Sequence, residues 1–324
     1  MRVVITGGAG FLGTRLAREI LRRGRLTDVR GNAQPLRELV LVDIVAPVES
    51  ADPRVRSIVG ALDDRSIVDA VLTPDTDSVF HLAAVVSAEA EANFDVGMRV
   101  NLDATRNLLE RCRTFNAPPK FVFASSLAVF GGRLPDPVPD DAPVTPRSSY
   151  GTQKAVGELL LNDMSRRGFI DGRALRLPTI VVRPGKPNRA ASSFASGIIR
   201  EPLAGVEAVC PVAPETRMWL QSPGAVVHNL LVGHEARSAD LPTFRAINVP
   251  GISVAVREMI DALRDVAGAD VAERVQWRFD PVIDAIVATW PSRFDARIGS
   301  ALGMRADADF SGIIRAHIAE AGRA

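Results

Sequence analysis

Thr6-Gly7-Gly8-Ala9-Gly10-Phe11-Leu12-Gly13 decides how the rest of the chain is read. It follows a short apolar run, Val3-Val4-Ile5, and opens a stretch in which Leu12, Leu16 and Ile20 recur at every fourth position. A buried strand passing through a glycine turn into an amphipathic helix is the context in which such a turn holds a dinucleotide. Gly7 and Gly10 permit a tight turn and close approach of the backbone to a pyrophosphate, whose charge meets the helix N-terminus. Gly13 permits close packing of helix on strand.

Outward from this turn, short β-branched runs alternate with amphipathic stretches. Leu39 to Val42, Val55 to Val59, Ser78 to Leu82 and Phe121 to Phe123 are bounded by Gly, Asp, Pro or Ser. Val100, Ala104, Leu108 and Cys112 repeat at a helical step between two of them, and a further helix is expected from about Ser149 to Arg167. A later strand is expected over 174–182 and a last one over 244–249. Strands that are apolar throughout and alternate with helices form a parallel sheet covered on both faces. The fold class is therefore α/β, a Rossmann-type doubly wound parallel sheet with a smaller C-terminal substrate lobe. Residues 1–182, with about 220–250, are expected to bind the dinucleotide. Residues 183–219 and 251–324 are expected to form the lobe, because six prolines punctuate 184–223 as in loops that shape a pocket.

Asp43 closes the run Leu39 to Val42, where a dinucleotide fold places an acid for the adenosine ribose hydroxyls. It lies thirty residues beyond Gly13, against a usual spacing of about 20 from the glycine motif. The stretch Arg25 to Glu38, read as an inserted solvated loop, accounts for the delay. Ile44-Val45-Ala46 offers no arginine for a 2′-phosphate, so NAD is expected rather than NADP.

Composition narrows the function. With 39 Lys+Arg against 38 Asp+Glu, the chain has no basic excess for nucleic acid or an anionic membrane. Two cysteines suit a reducing, cytoplasmic setting, and no apolar run reaches the roughly 18 residues of a membrane span. The four histidines, His81, His228, His234 and His317, lack metal-ligand spacing, and no metal is expected.

Tyr150-Gly151-Thr152-Gln153-Lys154 holds the only tyrosine of the chain and one of its three lysines. A spacing of four puts phenol and ammonium above one another on a helix face. A free tyrosine has a pKa of about 10, and an adjacent cation favours its phenolate, bringing it towards use as a base.

Five motifs in order, Thr6 to Gly13, His81-Leu82-Ala83-Ala84, Asn101, Ser125 to Gly131 and Tyr150 to Lys154, resemble those of the extended short-chain dehydrogenase/reductase family. The resemblance implies a catalytic triad of Ser126, Tyr150 and Lys154; Ser126 rather than Ser125 stands four residues before the Phe130-Gly131 pair. It further implies cofactor contacts from Gly7, Gly10, Phe11, Leu12, Gly13, Asp43, Leu62, Leu82, Ala83, Ala84, Asn101, Pro178, Tyr150 and Lys154, with Asn101 also supporting the site architecture, and a homodimer through a helix pair. Phe130 stands where the family often has tyrosine, and Ala61 where many members carry an aspartate that contacts adenine. Leu127-Ala128 replaces the acidic pair that family dehydratases use, which argues against dehydration.

Stretches 177–188, 190–194 and 209–219 are similar to the bacterial branch of this family that oxidises a four-carbon sugar acid, D-erythronate, which implies NAD-dependent oxidation at C2. A small polyhydroxy acid needs a cation for its carboxylate and hydroxyl or amide groups for its alcohols. Arg183 and Arg217 are the candidate cations, with Ser87, Thr179, Asn188, Ser192 and Ser193 as polar partners beside Ser126 and Tyr150. A sugar-nucleotide epimerase or a uronate dehydrogenase of the same family is the rival enzyme. A non-catalytic NAD sensor is disfavoured, because family members of that kind generally lack the tyrosine and lysine.

Overall fold

The computed structural model describes residues 1–47, 49–185 and 192–322. Among them seven parallel strands build the central sheet: β1 (Arg2–Thr6), β2 (Glu38–Asp43), β3 (Val55–Val59), β4 (Ser78–His81), β5 (Lys120–Ser126), β6 (Asp171–Leu177) and β7 (Ala246–Asn248). Their spatial order is β3-β2-β1-β4-β5-β6-β7, so the chain reverses direction across the sheet between β1 and β4. Ligands bind beyond the carboxyl ends of the strands at such a switch point.

The strands are apolar throughout because alternate residues enter different cores. Val3, Ile5, Leu39, Leu41, Val122 and Leu175 pack with Leu16 and Ile20 of α1 (Phe11–Arg23) on one face. Val4, Val40, Val79, Phe121 and Phe123 pack on the other with Leu108 and Cys112 of α2 (Ala104–Cys112) and Leu161 of α3 (Ser149–Arg166). Each such side chain stabilises the fold by about 1.5–3 kcal/mol when fully buried. A third core, outside the sheet, joins Val181 and Val182 to Ile198 and Ile199 of α4 (Ser193–Leu203), Met259 and Leu263 of α6 (Val256–Ala267) and Ile313 of α7 (Phe310–Ala321). Helix α5 (Pro223–Glu235) returns to the first core, and so does Met304.

Two expectations change. The run 174–182 is not one strand: β6 ends at Leu177, and Thr179–Ile180 pairs with Arg217–Gln221 in a separate three-stranded sheet completed by Ile252–Ala255. Pro178 has no N–H to continue a ladder, and the chain crosses there from sheet to lobe. The stretch Arg25 to Glu38 is not a loop but contains a hairpin, Arg25–Thr27 against Ala33–Pro35. Thr27 anchors it, its amide donating to the Glu235 carboxylate and its hydroxyl accepting from Lys120. No helix among the described residues is long and apolar enough to cross a membrane.

Candidate active site

A cleft of about 1170 Å³ opens along the carboxyl ends of the strands and runs from the glycine turn to the lobe. At its first end Gly7 has φ +70°, and a Cβ there would lie 2.9 Å from the Ala83 amide nitrogen. A Cβ at Gly13 would lie 2.1 Å from the Gly7 carbonyl oxygen. Both positions therefore require glycine, one for conformation and one for space. Gly10 begins α1 without a side-chain cap, which leaves first-turn amides to face a ligand. This uncapped donor set, bordered by Gly7, Gly10, Phe11, Leu12 and Gly13, fits a dinucleotide pyrophosphate. Asp43 also lines the cleft while its Oδ2 accepts from the Ala9 amide at 3.0 Å, so one carboxylate both holds the turn and faces the ribose end. Leu62, Leu82, Ala83, Ala84 and Pro178 complete this wall.

His81, at the end of β4, braces the turn from beneath. Its Nδ1 pairs with Thr6 Oγ1 at 2.7 Å and its Nε2 with Thr105 Oγ1 at 2.9 Å, and Thr6 Oγ1 accepts from the Ala83 amide. Burial first, and the nearby Lys154 second, push its pKa down to about 3, so the imidazole is neutral and structural.

Midway along the cleft, Ser148 caps α3 by accepting from the Gly151 amide at 3.1 Å. A Cβ at Gly151 would lie 2.1 Å from the Ala128 carbonyl oxygen, so this glycine lets the helix start pressed against the turn that follows β5. That contact sets Tyr150 near Ser126, whose hydroxyl favours the phenolate. Lys154, one turn along, is buried; its Nζ donates to the Ala124 carbonyl at 2.9 Å and stands 5.7 Å from the Tyr150 ring centre. Burial pushes the ammonium down to about 7, opposed by Glu158. The neighbouring Ser125 donates its hydroxyl to Glu158 at 2.5 Å, whereas Ser126 accepts from the Ala128 amide and lines the cleft.

A cation from outside the motif also acts on the phenol. Burial pushes the Tyr150 pKa up; Ser126 and the Arg183 guanidinium pull it down. Lys154, to which the sequence reading gave this influence, donates to the Ala124 carbonyl and has its own pKa lowered by desolvation. Arg183 is held by α4: its amide donates to Ser196 Oγ at 3.0 Å and its carbonyl accepts from Arg200 at 2.6 Å. Its own pKa is lowered by burial, with Tyr150 opposing that shift. Ser87, Thr179, Ser192 and Arg217 also line this end of the cleft. Arg217, however, gives its fork to Glu258 at 2.8 Å and to the Ser253 carbonyl at 3.2 Å.

Residues 3–232 match the NAD-dependent epimerase/dehydratase family. The chain belongs to that family. It is 56% identical to a D-erythronate dehydrogenase of Cupriavidus necator over 324 residues, the whole of both chains. It is 48% identical to one of Haemophilus influenzae over 319 residues, 98% of this chain and 99% of the other. Among solved structures it is similar to a nucleoside-diphosphate-sugar epimerase from Agrobacterium tumefaciens, with 40% identity, a TM-score of 0.91, and coverage of 98% of this chain and 93% of the other. The protein is an NAD-dependent dehydrogenase of the family.

Asn101 was expected both to contact the cofactor and to support the architecture of the site. Asn101 does not line the cleft but lies buried in a π-helical turn, Met98–Asp103, which leads into α2. Its side chain bonds both backbone groups of Val85 and donates to Gln153 Oε1 at 2.8 Å, so it is saturated and fastens the cleft wall to α3. Regular spacing cannot foretell the extra residue of a π turn. Asn188 lies outside the described residues. The sequence reading also passed over Ser196 and Arg200, although Ser192, Ser196 and Arg200 follow one another at a four-residue step that does signal a shared helix face. Ile286 and Trp290, which line the cleft from the lobe, carry no comparable signal, because they reach it only through tertiary folding.

Proposed function

We propose that the protein oxidises the C2 hydroxyl of a small sugar acid, D-erythronate, to the 2-keto acid, with Tyr150 as general base and Ser126 and Lys154 beside it. The observation that carries this reading is that Arg183 lines the same cleft as Tyr150, Ser126 and Lys154 and its charge acts on the phenol, so that its fork is available to a substrate carboxylate there. The full-length similarity to two D-erythronate dehydrogenases supports the substrate.

The chain's own residues then act as follows. Arg183 binds the carboxylate and sets the orientation, and Ser87, Thr179, Ser192 and Arg217 receive the remaining polar groups. Ser126 donates to the C2 oxygen, and Tyr150 as phenolate takes its proton. Lys154 offsets the phenolate charge. Bound NAD supplies the hydride acceptor. The apolar side chains Ile286, Trp290 and Met218 on the lobe side exclude water, which strengthens each charge interaction. In the same reading residues 1–182 with about 220–250 hold the dinucleotide, and 183–219 with 251–324 hold the acid. A homodimer through helix faces and a cytoplasmic setting accompany it, supported by the exposed Leu159 on α3 and by the unpaired Cys112 and Cys210.

The test is NADH formation by purified protein with D-erythronate, its stereoisomers, and longer aldonates and uronates. Turnover with D-erythronate above the others is the expected result. Silence with every acid, together with interconversion of nucleotide sugars on retained NAD, would replace this reading with an epimerase.

A further inference from the structure

Lys154 has little to keep it charged. It is buried, it faces the rings of Phe123 at 4.7 Å and Tyr150 at 5.7 Å, and its ammonium donates to a neutral carbonyl. One turn further along α3 stands Glu158, also buried and completing the series Tyr150, Lys154, Glu158 at a four-residue step. Glu158 is fixed from two neighbouring strands. Arg176 of β6 grips it with Nη2 to Oε2 at 2.7 Å and Nε to Oε1 at 3.0 Å, and Ser125 of β5 donates to Oε1. Arg176 is itself held over the Phe130 ring at 4.8 Å and reaches Asn248 of β7 at 3.4 Å. A carboxylate this deep is costly to bury unless it is paired. Here its guanidinium partner offsets that cost, and its field remains one turn from the ammonium.

We propose that Glu158, held by Arg176 and Ser125, is a positioning residue that keeps Lys154 protonated, so that the proton shared between Tyr150 and Lys154 rests on the lysine. This rests on the reading of Tyr150 as general base. The pair can hold its shared proton in two ways, as phenol with neutral amine or as phenolate with ammonium. The two forms have the same number of protons and differ only in which atom carries one, and only the second contains the base. Moving the balance between them changes the amount of active enzyme at every pH of the plateau. Glu158 favours the ammonium and hence the phenolate.

The other groups facing this pair do not substitute for it. His81 of β4, with a pKa near 3, is neutral across the working range. Arg183, from the lobe side, acts on the phenol and not on the amine. Arg176 carries a positive charge, so without Glu158 it opposes the ammonium. Glu158 is the group that opposes the desolvation of Lys154.

The experiment is the pH profile of kcat for the NAD-dependent oxidation, measured on wild type and Glu158→Gln at saturating NAD. The acid limb reports loss of the first proton from the doubly protonated pair. The expected result is a limb displaced about one unit to lower pH and a plateau lowered about tenfold, because the ammonium is then less favoured. A merely structural role lowers the folded fraction without moving the limb. Should Glu158→Gln fail to fold with an unpaired Arg176, the double variant Glu158→Gln/Arg176→Gln replaces the ion pair by an amide pair and is expected to move the limb the same way. A limb that stays at the wild-type pH in a folded variant would overturn the proposal. Tyr150→Phe run alongside separates the two levels: full turnover there overturns the acid–base reading, whereas an unmoved limb with Tyr150 essential overturns only the role of Glu158.

Discussion

Lys154 and Lys120 occupy opposite edges of one sheet and share most of what marks a functional lysine. Each is buried, and desolvation pushes each down, Lys154 to about 7 and Lys120 to about 8. Each also has a neutral histidine on its edge of β4 or α5, His81 beside the first and His234 beside the second. Their surroundings differ. Lys154 borders the cleft and has Tyr150 one turn away. Lys120 is enclosed: its Nζ donates to Thr27 Oγ1 at 2.9 Å and to the His234 carbonyl at 2.8 Å, and none of these three residues lines the cleft. Near it Arg173 pairs with Asp171 at 2.9 Å in a second buried polar cluster. A shifted pKa therefore reports burial, and access to a cleft decides whether burial serves chemistry.

The physical origin of the difference lies in sheet topology. At the carboxyl edge, the chain leaves β1 and β4 for opposite sides and opens a crevice between them. At the amino edge, the hairpin Arg25–Thr27/Ala33–Pro35 and the end of α5 close over the strands and supply acceptors for Lys120.

Three substitutions test this contrast. Tyr150→Phe is expected to lower turnover by about 10²–10⁴-fold, the range for removal of a general base, with NAD affinity retained in calorimetric titration. Near-normal turnover would detach the Lys154 edge from catalysis altogether. Arg183→Gln is expected to lower kcat/KM for the sugar acid by about 10–100-fold, the loss of a charge-assisted pair of about 1.5–3 kcal/mol, while NAD binding is unchanged. An unaltered kcat/KM would move the carboxylate to Arg217 or elsewhere. Lys120→Met is expected to destabilise the fold by about 1–3 kcal/mol in denaturant unfolding, because it leaves two buried acceptors without a donor. Turnover per folded molecule should then stay within about twofold of wild type, as for distant independent sites. A changed pH profile in Lys120→Met would mean that the two edges are coupled and would break the comparison.

The two ends of the cleft differ in how far they could be read in advance. The glycine-turn end is made of consecutive backbone and local side chains, so Gly7, Gly10 and Gly13 are legible from the strand, turn and helix around them and Asp43 from its place closing a strand, as are Tyr150 and Lys154 from their spacing on one helix face. The end of the cleft proposed to hold the acid draws on segments distant in the chain, with Arg183 after β6, Arg200 on α4, Arg217 in the second sheet and Trp290 far beyond. Spacing cannot show that Arg217 is paired with Glu258 while the Arg183 charge acts on the phenol. Pro178 was visible, yet its consequence, a strand that changes sheets, depends on there being a second sheet to receive it.

The sequence by itself determined the dinucleotide turn, the alternation that makes a doubly wound sheet and the phenol–ammonium spacing, since each depends on local backbone geometry or on helical and strand periods. Only the tertiary structure decided which arginine stands by Tyr150, that Asn101 braces the wall instead of lining it, and that Glu158 lies buried under Lys154 in the grip of Arg176. Those outcomes depend on how far desolvation and pairing act on each charge, and both are set by neighbours brought in from other strands and from the lobe.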